Sequence, residues 1–156
     1  MAKYRSLTLE ELSSLEKEFI DFLVLNGITA DDWVQLKATE TENAALIIDQ
    51  FSDVVFEGIL RKAKYLEKRT KQEFATYHCL DNSIVKVAMV IENDDVADFT
   101  DPKFIEKATK TPPKNVKVYT GEKKYKTDRE SEIFALLNNG CVITDGKMFK
   151  VLCLSL

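Results

Sequence analysis

The spacing of apolar residues changes once along this chain. Through residue 68 they recur every three or four positions, and from Phe74 they recur every second position. The first period belongs to a helix with one buried stripe and the second to a strand with one buried face. A chain that carries one and then the other is α+β, with its helices and strands segregated along the sequence. The change predicts a helical half over residues 1–70 and a sheet-containing half over 71–156. At 156 residues, 45% apolar and 31% charged, a single domain with its own core is expected.

Local signals place the elements. Thr8 and Glu11 have capping-box spacing ahead of a helix that starts near Leu9. Leu12, Leu15, Phe19, Phe22 and Leu23 mark its stripe, and Asn26-Gly27 ends it. Phe19, Ile20, Phe22, Leu23, Val24 and Leu25 leave almost no polar face, so this end is expected to be buried all round. Thr29 caps a short helix carrying Trp33. A third, long helix is predicted over 42–68 from Ile47, Ile48, Phe51, Val54, Val55, Ile59 and Leu66, closing on basic residues that suit a helix C-terminus. Gly58 falls on its wide apolar face, which predicts a close neighbour there and a strongly destabilising Gly58→Val.

Beyond it, FATYHCL and SIVKVAMVI flank Asp81-Asn82, while CVIT and KMFKVLCL flank Asp145-Gly146; both pairs read as hairpins. Between them lie a helix over 101–110, a strand at NVKVY and a helix over 128–138. The expected fold is an N-terminal layer of three helices, one long, packed on a five-stranded mixed sheet that contains two hairpins, with two further helices crossing it.

The residue inventory excludes several chemistries. His78 is the only histidine, so no site needing two imidazoles can form. His78 and Cys79 are neighbours in a strand and point to opposite faces, which removes the one Cys3His combination and denies Cys79 its base. Cys79, Cys141 and Cys153 form no CxxC and read as packed core thiols in a reducing cytoplasm. There is no G-x-S-x-G, P-loop or G-x-G-x-x-G. No metal and no cofactor is expected. The N-terminus has no apolar h-region, and no segment reaches the roughly 18 apolar residues of a membrane helix, so neither export nor membrane insertion is expected.

Two charged features remain. On the long helix Asp53, Glu57 and Arg61 form a ladder with apolar shoulders; Glu57 and Arg61 attract, Asp53 and Glu57 repel, and each effect is worth about 0.2–0.5 kcal/mol. These three residues and His78 are the candidate catalytic groups, although a solvated ladder and a hydrogen-bonded core or edge histidine are the preferred readings. The chain is also polarised: residues 1–60 hold 4 basic and 12 acidic side chains, and residues 61–156 hold 18 and 14. Within 103–129 nine basic residues face three acidic ones. A nucleic-acid backbone could bind there, but arginine is scarce and a solvated lysine surface is preferred.

YRSLTLEELSSLEKEFIDFLVLNGITADDW and FSDVVFEGILRKAKYLEKR together resemble a bacterial family of small proteins of unknown function. The resemblance implies a cytoplasmic, single-domain protein and carries no activity, cofactor or catalytic residue. The leading expectation is a non-catalytic module that contacts another protein or a second copy of itself. The alternatives are an enzyme using Asp53 and Glu57 or His78, and a nucleic-acid binder using residues 103–129.

Overall fold

The capping box closes as the sequence predicts: the Thr8 hydroxyl accepts from the Glu11 amide at 3.1 Å, and the Glu11 carboxylate accepts from the Thr8 amide at 2.9 Å. It opens α1 (Leu9–Ser14) in the computed structural model, which describes residues 1–92 and 97–155. At Leu15 the helix breaks, and α2 (Glu16–Leu25) follows. The Ser14 hydroxyl donates to the Glu11 carbonyl at 2.7 Å, a back-bond that bends helices at serine. Gly27, at φ +73°, ends α2, and the Ile28 amide returns to the Leu23 carbonyl at 2.9 Å. Thr29 caps α3 (Ala30–Thr39) with a second reciprocal box, formed with Asp32. The long helix α4 spans Thr41–Lys62.

The described residues fall into two compact units, Met1–Ile59 and Leu60–Leu156. In the first, Leu7, Phe19, Leu23 and Phe51 are buried together, with Trp33, Ile47, Ile48 and Val55 packed round them. Phe19 lies at the centre, with Trp33 edge-on at 5.1 Å and Phe51 tilted at 5.0 Å.

The second unit holds β1 (Tyr65–Arg69), β2 (Glu73–Cys79), β3 (Ser83–Ile91), α5 (Pro102–Lys110), β4 (Val116–Lys124), α6 (Arg129–Asn138), β5 (Val142–Thr144) and α7 (Lys147–Cys153). The strand order is β4-β3-β2-β1-β5. One face of the sheet sends Phe74, Val87, Met89 and Ile91 into a core closed by Phe99, by Ile105 and Ala108 of α5, and by Phe149 and Leu152 of α7.

The sheet has the expected five strands but is antiparallel at every pairing, not mixed. Tight turns join β1 to β2 and β2 to β3, and such turns require antiparallel neighbours. The hairpin at Asp81-Asn82 forms, with the Leu80 amide on the Ser83 carbonyl at 2.9 Å. The one expected at Asp145-Gly146 does not, because 147–153 is helical. The second hairpin is instead β1–β2, whose first strand is built from residues expected to be helix and whose second is expected as a strand. Four helices, not three, precede the sheet, and three, not two, follow β3 among the described residues. Gly58 is exposed, and a Cβ there would meet nothing within 4 Å, so the expected close neighbour is absent.

Candidate functional site

Of the four candidates, Asp53 and Glu57 belong to the first unit and Arg61 and His78 to the second. Asp53 and Glu57 hold the segment that precedes α1. The Asp53 carboxylate accepts from the Lys3 amide at 2.9 Å through both oxygens and from the Tyr4 amide at 3.2 Å. Glu57 accepts from the Tyr4 phenol and lies 3.9 Å from the Lys3 ammonium. One turn earlier Asp49 accepts from the Ser6 hydroxyl, and the buried Ser52 hydroxyl accepts from the Leu7 amide at 2.9 Å. Positions 49, 53 and 57 share one helix face at four-residue spacing, and that face acts as a rail for residues 3–7. Arg5 joins the segment onward to Glu11 through paired bonds of 2.8 and 2.9 Å, which pull the Glu11 carboxyl down to about 2.

Asp53→Ala removes the acceptor for two backbone amides. It is expected to cost about 1 kcal/mol and to free the segment. Trypsin should then cut after Lys3 and Arg5 faster than in the parent chain, and unchanged cleavage would count against the rail.

Arg61 and His78 line one concavity of the second unit, with Lys64, Asp81, Arg129 and Glu130. The His78 ring stacks on Tyr65 at 4.5 Å and meets the edge of Phe149 at 5.4 Å. Burial, then the nearby Lys150 and Lys64 ammonium groups, lower its pKa below 6.5, so the imidazole is neutral at pH 7. A neutral imidazole could accept a proton, but Cys79 points to the other face of β2, and burial pushes its thiol up to about 11. Burial raises Cys141 as well. These thiols stay protonated at neutral pH and are poor nucleophiles.

Arg129, counted in the basic stretch, turns inward. Its guanidinium donates to the carbonyls of Leu60 at 2.9 Å, Leu80 at 3.2 Å, Cys79 at 3.3 Å and Ala63. With its donors so engaged it offers little to a phosphate. Lys117, Lys123 and Lys124 lie on β4, an edge of the sheet, where lysine discourages further strand pairing. Among the described residues no group of three or more His, Cys, Asp and Glu is placed to hold a metal, and no helix is long and apolar enough to cross a membrane.

An apolar concavity lies wholly in the first unit. It is a groove of about 520 Å³ along α1, α2 and α3, lined by Leu9, Leu12, Phe19, Ile20, Leu23, Val24, Trp33 and Val34 among others. The end of α2, expected to be buried all round, buries only Phe19 and Leu23. Ile20 is 50%, Val24 66% and Leu25 86% exposed, and across the groove Val34 is 61% exposed. The composition of this helix end was legible in the sequence. Its exposure was not, because an all-round apolar stretch reads equally as core or as contact surface.

A family model matches residues 1–156. The chain belongs to DUF6495, a family of unknown function. No curated protein and no solved structure matches this DUF6495 chain at a significant level.

Proposed function

We propose that this DUF6495 protein is a non-catalytic interaction module of the bacterial cytoplasm, and that it contacts another protein through the groove of α1–α3. The observation that carries this reading is the exposed pair Ile20 and Val24, one turn apart on α2, lining one groove with the exposed Val34 of α3 and the Phe19 and Trp33 rings. Apolar side chains aligned at four-residue spacing and left in water mark a contact surface. Sites for small molecules enclose most of their ligand. Walls as open as these suit a helix laid along them, ridge into groove.

Trp33 is the only tryptophan, so its emission reports on the groove. A synthetic amphipathic helix of leucine, alanine and glutamine should shift that emission to the blue in a saturable way. Val24→Asn with Val34→Asn should weaken binding roughly tenfold while leaving the melting temperature nearly unchanged, since both positions face solvent. Saturable binding of dodecanoate with no response to the peptide would replace the reading with a small-ligand site.

A further inference from the structure

We infer that the partner laid in this groove is an amphipathic helix whose polar face is basic. The inference rests on the groove being a contact surface and adds the charge of what it contacts. The unit that contains the groove, Met1–Ile59, carries 4 basic and 12 acidic side chains. Asp49, Asp53 and Glu57 are engaged with residues 3–6, and Glu11 with Arg5. On the helices that wall the groove, Glu10, Glu16, Glu18, Asp21 and Asp31 stand exposed, against Lys17 and Lys37. The groove itself is lined by one carboxylate, Glu16, and one ammonium, Lys37, while the helices around it carry more exposed carboxylates than lysines. Glu16 is one turn before Ile20 on α2, and Asp31 is three residues before Val34 on α3. An apolar floor in a unit of net charge −8 complements a helix with a leucine-type stripe flanked by lysine or arginine, and it disfavours one flanked by glutamate.

A second copy of this chain fits less well. Groove against groove would bring together two units that each carry a net charge of −8. The apolar faces of α5 and α7, which do carry lysines, are spent in the core of the second unit.

The test uses the full chain and three synthetic helices with the same leucine stripe and with lysine, glutamine or glutamate on the polar face, all followed by Trp33 emission. At low salt the lysine helix should bind roughly tenfold or more tighter than the glutamine helix, and the glutamate helix weakest, with the differences shrinking as salt screens them. Glu16→Lys with Asp31→Lys should abolish the preference for lysine, and Val24→Asn with Val34→Asn should weaken all three helices. Equal affinity for the three, still sensitive to Val24 and Val34, would overturn the basic partner and leave the contact surface standing. Lysine-helix binding that ignores Val24 and Val34 would be unspecific attraction to an acidic unit and would overturn both, as would silence from all three helices.

Discussion

Arg129→Ala is expected to lower the folding stability by roughly 3 kcal/mol, the larger of the losses that a single side-chain truncation should produce in the second unit. The guanidinium reaches two carbonyls at the end of α4 and two at the end of β2. A helix leaves its last four carbonyls without partners in the helix, and here the side chain of a residue 66 and 69 positions further on supplies them. Truncation strips a charged donor from several carbonyls at once, and a hydrogen bond to a charged group contributes about 1.5–3 kcal/mol net of what water offers. Arg129→Lys should recover less than half of the loss, because an ammonium on a flexible stem cannot span both segments as the planar fork does. Urea unfolding checks both variants: the midpoint should fall with little change in slope. A loss below about 1 kcal/mol for Arg129→Ala would show that water serves these carbonyls as well as the guanidinium does.

The same contact explains why the end of α4 was illegible. Sequence signals for a helix stop are local, a glycine, an asparagine or a following proline, and RKAKYLEKRTK contains none. The helix stops at Lys62 with Arg129 on its carbonyls, and the chain continues as β1. Nor does β1 show a period of two, because both faces are covered: Leu66 is buried on one and Glu67 on the other. Strands of that kind cannot be told from helix by alternation.

Where caps and turns are local, legibility was good. Thr8 with Glu11, Thr29 with Asp32, Asn26-Gly27 and Asp81-Asn82 all act as their residues dictate. Asp145-Gly146 is the local exception, a turn that leads into α7 instead of a second strand. The other failures lie where a distant part of the chain decides, in the pairing partner of β1 and in the segment covering the α4 ladder. Nothing in the ladder says that Lys3 and Tyr4 amides will find Asp53 from 49 and 50 positions away. The groove was half legible, since the residues of α2 announced an apolar surface without saying whether the fold would cover it.

Gly146→Ala should be nearly as damaging as the loss of Arg129, at roughly 3 kcal/mol, and for two separable reasons. Gly146 closes β5 and caps α7 with φ at +83°, a conformation that side chains disfavour. It is also buried under the Tyr65 ring: a Cβ built there would lie 2.6 Å from Tyr65 Cε2 and closer to two other ring carbons. The ring cannot easily retreat, because it stacks on His78 and tilts against Phe149 at 5.7 Å. Tyr65→Ala combined with Gly146→Ala separates the reasons. The clash vanishes in the double variant while the backbone penalty of about 1 kcal/mol stays, so the double variant should lose markedly less than the sum of the two single losses. Gly58→Ala is the internal contrast, a glycine that looked equally packed from its helix position. It faces solvent with nothing near its absent Cβ, so alanine there should raise stability by up to about 1 kcal/mol. If both glycine substitutions prove harmless, the Tyr65 ring has room to move and the stack with His78 is not the rigid floor that its geometry implies.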